Sequence, residues 1–150
     1  MTRQIKVLAV ASAGGHWTQL MRLRPAFRGC EIVFVSTLDQ GNATGGARFH
    51  RVPDANRFEK LTLVKLFVAM VRILLVERPD VVVSTGAAPG YIALRLGSLL
   101  GARTVWIDSI ANVDELSMSG RMATKVADLC LTQWPHLARP EGPHFAGSVV

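Results

Sequence analysis

Cysteine is nearly absent from this chain: 150 residues hold two, Cys30 and Cys130, with no C-x-x-C pair and no histidine at ligand spacing beside either. That excludes a disulfide framework or a structural zinc site and suits a reducing cytoplasm. No metal and no cofactor is expected. Aromatic residues make up 7% and do not interleave with the positive charges, which are scattered rather than clustered; a nucleic-acid interface is therefore not expected. No uncharged run approaches the roughly 20 residues that a transmembrane helix needs. The N-terminus passes almost at once into an apolar strand, so no cleavable signal peptide is expected. The G-x-G-x-x-G spacing of a dinucleotide fold is missing, although Asp39 follows the second apolar strand at a tolerable distance. Internal repeats and low-complexity tracts are absent too.

What remains is a chain 49% hydrophobic and 19% charged, with a net charge of +6. It is expected to fold as a single domain over 1–150, with a basic surface suited to anionic partners. Apolar runs at Ile5–Ala11, Cys30–Val35, Asp80–Ser84, Arg103–Ile107 and Asp128–Thr132 predict strands, with a shorter one at Phe49–Val52. Helical spacing predicts helices over Trp17–Phe27, Phe58–Glu77, from Pro89 to Leu100, and over Met118–Val126. Residues 37–46 read as a mobile, glycine-rich loop, and Phe145–Val150 as extended. Strands alternating with helices predict an α/β fold, a Rossmann-like parallel sheet with helices on both faces.

Ligands of such sheets bind at the C-terminal edge of the strands, where three loops are expected to meet. The first is Ser12-Ala13-Gly14-Gly15-His16. Adjacent glycines let a backbone approach a bound group, and the opening helix offers free N–H donors to a phosphate or diphosphate. An imidazole there is able to exchange a proton with a bound hydroxyl. The second is Thr85-Gly86-Ala87-Ala88-Pro89-Gly90, and the third starts at Asp108-Ser109. Each has a plainer reading: a tight strand-to-helix turn, a solvated or capping histidine, ordinary punctuation by proline and glycine.

Between Leu61 and Val76 only Thr62, Lys65 and Arg72 are polar. At about 100° per residue they share one narrow stripe with Ala69. Two readings stand: a core helix with one wet edge, or a helix lying in a membrane surface with Lys65 and Arg72 at the headgroups. Trp134-Pro135 reads either as ordinary packing or as a partner surface.

Taken together, Ser12–His16, Val52-Pro53-Asp54-Ala55-Asn56-Arg57, Pro79-Asp80-Val81-Val82-Val83-Ser84-Thr85-Gly86, Asp108-Ser109-Ile110-Ala111-Asn112-Val113, Leu116-Ser117-Met118-Ser119-Gly120 and Gln133-Trp134-Pro135 resemble one family from end to end. It is the ALG-fourteen-like/PssD (CpsF-like) family of oligosaccharide biosynthesis proteins. The layout also resembles the N-terminal half of MurG. The resemblance implies the acceptor-side half of a split, inverting GT-B glycosyltransferase, equivalent to the N-terminal domain of such an enzyme. A PssE-like subunit would carry the nucleotide sugar, UDP-N-acetylglucosamine or UDP-glucuronic acid. The acceptor would be a polyprenyl-diphosphate-linked glycan in exopolysaccharide, capsule or lipid-linked oligosaccharide synthesis. The chain would be cytoplasmic, peripheral at the inner face of the cytoplasmic membrane. His16 is then the first candidate for the general base and Asp108 the competitor. Ser12, Gly14, Gly15, Thr85, Gly86, Gly90 and Ser109 would bind the substrate diphosphate, Lys65 and Arg72 the membrane, and Trp134 and Pro135 the partner. A non-catalytic recruitment scaffold is the alternative. Asn112 departs from the pattern, standing where many relatives are expected to carry arginine.

Overall fold

The computed structural model describes residues 3–56 and 58–149. Arg57 of the Val52–Arg57 block and Val150 of the extended segment lie outside the described residues. Seven parallel strands form one sheet in the order β3-β2-β1-β4-β5-β6-β7. They are β1 (Lys6–Ala11), β2 (Glu31–Ser36), β3 (Arg48–Arg51), β4 (Val81–Gly86), β5 (Arg103–Ile107), β6 (Leu129–Thr132) and β7 (His144–Phe145). The helices are α1 (Gly15–Arg22), α2 (Lys60–Glu77), α3 (Ala87–Leu99) and α4 (Met118–Thr124). The chain grows outward from β1 to β3, then crosses back to start β4 on the other side of β1. The C-terminal ends of β1 and β4 therefore border the switch point, where connections leave in opposite directions and a crevice opens.

Continuous apolar runs in β1 and β4 reflect cover on both faces. One face packs Leu8, Val10, Val33, Val35, Val82 and Trp106 against Leu66, Met70 and Leu74 of α2 and Ala93 and Leu94 of α3. The other packs Ala9, Ala11 and Phe34 under Trp17 and Leu20 of α1. Trp17 meets Phe34 and Phe49 edge-on at 5.6 and 6.0 Å, an arrangement that suits the ring quadrupoles.

Element ends shift by a residue or two at several places, and three larger differences from expectation stand out. The first helix breaks at Leu23 and continues as a 3₁₀ turn over Arg24–Phe27, because Pro25 cannot supply an interior helical N–H. Residues 37–46 are not a loose loop. Gly41–Thr44 forms a 3₁₀ turn and Thr44 is fully buried, its hydroxyl bonded to Gly41 O at 2.8 Å and Ala47 O at 3.0 Å. Among the described residues, the C-terminal segment expected to be extended over Phe145–Val150 pairs with the sheet only at its start, in the strand His144–Phe145.

At the opposite edge of the sheet, Glu77 of α2 is buried beneath β3. Its Oε1 accepts from His50 Nε2 at 2.9 Å, with Arg48 Nε at 3.5 Å, and Lys6 Nζ lies 3.6 Å from Oε2. Burial pushes this carboxyl up. The His50 hydrogen bond and the charges of Arg48, His50 and Lys6 outweigh burial and hold it below the usual glutamate value of 4.5. A depressed carboxyl contributes stability that is present above its unfolded pKa and lost as pH falls through its folded one. Glu77→Gln is expected to lower stability at pH 7 by about 2 kcal/mol and to flatten the loss of stability below pH 4.5. Urea titrations across pH 2–7 check both effects.

Candidate functional site

The crevice is built from the ends of β1 and β4. Gly14 closes β1 with φ 84° and ψ −136°, a conformation that favours glycine, and starts α1 without a side-chain cap. A Cβ added to Gly14 or Gly15 would meet nothing within 4 Å, so both face open space. The first amide bonded back into α1 is Thr18 N, to Gly14 O at 3.0 Å. The amides of Gly15, His16 and Trp17 stand ahead of that ladder. Gly86 likewise starts α3 without a side-chain cap, and neither helix has an acidic residue in its first turn. Two helix N-termini thus sit side by side with their positive ends neutralised by nothing of their own. Ala87, the first residue of α3, has φ 70°, a strained conformation for a residue with a side chain and one that recurs at ligand sites.

His16 joins the two turns. Its Nδ1 lies 3.1 Å from Thr85 O, and Thr85 Oγ1 donates to His16 O at 2.6 Å. A carbonyl oxygen only accepts, so Nδ1 carries a proton, and in the tautomer this selects Nε2 is the acceptor. Gly86 makes room for this: a Cβ there would fall 2.3 Å from His16 Nδ1. The imidazole is half-buried, and Ser12 lies half-buried just before the turn.

Two of the residues expected to offer backbone donors to the diphosphate also have a part in the fold. Thr85 is fully buried and spends its hydroxyl on His16 O. Gly90 is buried within α3, where a Cβ would lie 1.8 Å from Ser84 Oγ, so it permits the close approach of α3 to β4. The Gly86 amide is also occupied, by Ser84 Oγ at 3.1 Å.

Asp108, 1% exposed, follows β5. Its Oδ1 accepts from Trp106 Nε1 at 3.0 Å and Ser117 Oγ at 2.7 Å; its Oδ2 accepts from Asn112 Nδ2 and Ser117 N, both at 3.0 Å. Every lone pair of the carboxylate is used to gather the loop and the start of α4 around it. A Cβ on Gly120 would lie 2.4 Å from Oδ1, which explains the glycine. Asn112, the departure from the expected arginine, turns inward as one of these four donors.

Sequence reasoning assigned no role to the two side chains that tie this loop to α1. Gln19 Oε1 accepts from Ile110 N at 3.2 Å and from Gln133 Nε2 at 2.6 Å, while Gln19 Nε2 donates to Ser109 Oγ at 3.0 Å. Gln133 also donates to Asp108 O at 3.0 Å. A polar residue on the inner face of a short helix was the available signal. Trp134 faces inward as well, its Nε1 donating to Ile110 O at 2.7 Å, whereas Pro135 is exposed. A cavity of about 460 Å³ lies between the C-terminal ends of α2 and α3. Its one carboxylate, Asp80, is bound by Arg3 and by Lys6 N.

The family model of the oligosaccharide biosynthesis protein Alg14 like matches residues 47–148. The chain belongs to this Alg14-like family. The UDP-N-acetylglucosamine transferase subunit ALG14 of Homo sapiens is 26% identical over 167 residues, covering 89% of this chain and 77% of the human protein. The subunit of the same name from Eremothecium gossypii is 27% identical, covering 89% of this chain and 74% of its own length. Among solved structures, MurG of Acinetobacter baumannii superposes with a TM-score of 0.77 at 12% identity, covering 96% of this chain and 45% of MurG. The fold is therefore that of the Rossmann-like N-terminal domain of a GT-B glycosyltransferase, and the chain spans under half of MurG's length.

Proposed function

We propose that this chain is the acceptor-binding subunit of a two-component inverting glycosyltransferase. The observation that carries this reading is the pair of uncapped, unneutralised helix N-termini with His16 held between them. Amides of Gly15 and His16 on one side and of Ala87 and Ala88 on the other hold the diphosphate of a polyprenyl-linked glycan. Ser12 lies at the mouth of the first turn. The acceptor hydroxyl attacks the anomeric carbon of the UDP-sugar, the bond to UDP breaks, and the hydroxyl proton passes to His16 Nε2. Asp108 acts through position, holding the 109–117 loop. The transferred sugar is N-acetylglucosamine, the sugar in the relatives' names. A donor-side, PssE-like subunit supplies the UDP-sugar, and the product enters exopolysaccharide, capsule or lipid-linked oligosaccharide synthesis. Transfer from UDP-N-acetylglucosamine to a short polyprenyl-diphosphate acceptor, assayed with and without the donor-side subunit, tests this. Activity is expected only in the mixture; robust transfer by this chain alone overturns the division of labour.

A membrane-recruiting role is favoured by a separate observation. The inner face of α2 buries Leu66, Met70, Ile73 and Leu74, yet its outer face carries Leu61, Val64, Val68, Leu75 and Val76 around the exposed Lys65 and Arg72. Leu61 is 69% and Val76 72% exposed, so core packing does not account for the helix. No helix among the described residues is long and apolar enough to cross a membrane, and an apolar face edged by cations suits one lying on it. A basic residue near an anionic surface contributes about 1 kcal/mol. The double variant Lys65→Glu/Arg72→Glu is thus expected to weaken flotation with phosphatidylglycerol vesicles by at least about tenfold. Flotation equal to the parent chain's would remove α2 from the membrane contact.

A further inference from the structure

The hydrogen bonds around Ser109 determine which way its hydroxyl can work. Backbone groups fix every assignment in this network. Ile110 N is a donor, so the Gln19 atom facing it is Oε1, and the other end of that amide, Nε2, faces Ser109 Oγ at 3.0 Å. The neighbouring Gln133 amide is fixed in the same way, with Nε2 toward the Asp108 carbonyl and Oε1 toward Val149 N at 2.7 Å. Ser109 Oγ accepts a second bond from Ala111 N at 3.1 Å. A hydroxyl oxygen has two lone pairs, and both are used. The Ser109 proton is therefore not used on either of these partners, and it has no acceptor among the described residues. Ser109 is nonetheless 93% buried, being 7% exposed, and an unmet donor so placed is costly unless a ligand meets it.

We propose that Gln19 fixes the Ser109 hydroxyl as a hydrogen-bond donor to a diphosphate oxygen of the acceptor. The inference rests on the acceptor-binding reading given above and adds to the expected Ser109 contact its direction, as a donor, and a positioning residue, Gln19. Gln19 sits one turn beyond His16 on α1, so the same short helix presents the imidazole and sets the polarity of the loop after β5. A near-isosteric change reverses that polarity. In Gln19→Glu the atom facing Ser109 becomes an acceptor. The serine proton turns inward to it, and a lone pair is left facing the ligand oxygen.

The test is a double-mutant cycle on the full chain, read by calorimetric titration with farnesyl diphosphate and with the same diphosphate carrying N-acetylglucosamine. Ser109→Ala is expected to weaken both probes by about tenfold or more, as loss of a hydrogen bond to a charged group does. Gln19→Glu is expected to weaken both by at least as much, and Gln19→Glu/Ser109→Ala by no more than Ser109→Ala alone, because the two act through one hydroxyl. Ser109→Ala carries the test if Gln19→Glu does not fold. Additive losses, unchanged affinity in Ser109→Ala, or a loss confined to the sugar-bearing probe each overturn the proposal while leaving diphosphate binding intact. Failure of the parent chain to bind either probe overturns the acceptor-binding reading together with it.

Discussion

His16→Ala is expected to lower turnover of the reconstituted transferase by about 10²–10⁴-fold, the range over which a positioned general base acts. The expectation follows from a fixed tautomer. Thr85 O holds the proton on Nδ1, which leaves Nε2 as the atom able to take a proton, and the Thr85 hydroxyl locks the backbone that carries the ring. His16→Gln is a useful companion, since it keeps a polar side chain without a comparable base. If the histidine takes the proton, both variants lose turnover with acceptor KM little changed. If it only helps to hold the substrate, KM rises and turnover stays. The second result would leave the chain as a recruitment scaffold whose partner does the chemistry. Gly86→Ala extends the same logic. Its added carbon would fall 2.3 Å from His16 Nδ1, so displacing the ring from the second turn should mimic much of the alanine loss at His16.

The sheet was legible because β1, β2, β4, β5 and β6 are short apolar runs bounded by glycine, proline or polar turns, and such runs alternating with helices leave little choice of architecture. The first glycine turn was legible for the same local reason. What sequence could not give was contact. Thr85 and Gly90 sit in a turn of the right composition, but the bond of the Thr85 hydroxyl to His16 O and the close approach of Gly90 to Ser84 exist only once α1, β4 and α3 are packed together. The two-sided apolar character of α2 is visible in its residues, yet periodicity does not say which side the sheet will cover. Gln19 and Gln133 are 114 positions apart and meet only once α1 and the end of β6 share one edge.

Asp108→Ala is expected to be among the most damaging single changes in this chain, at about 3–5 kcal/mol. It would strand the indole N–H of Trp106, the amide and hydroxyl of Ser117 and the side-chain amide of Asn112. At 1% exposure the site gives water no way to replace the carboxylate. For a chain of this length each kcal/mol moves Tm by about 2–4 °C, so a loss of about 10 °C should be visible in a thermal melt. Asp108→Asn separates the two roles the residue could have. Its carbonyl keeps two of the four donors, and Ser117 Oγ can turn to accept from the new amide if that amide takes the place of Oδ1. The cost in stability should then fall to about 1–2 kcal/mol. A carboxylate acting as base would lose turnover in this variant as severely as in alanine, whatever the stability. A carboxylate that positions the loop loses turnover in proportion to what the loop loses, most in alanine and least in asparagine. The four donors already on its oxygens favour the graded result, which is the one the proposed role of His16 requires.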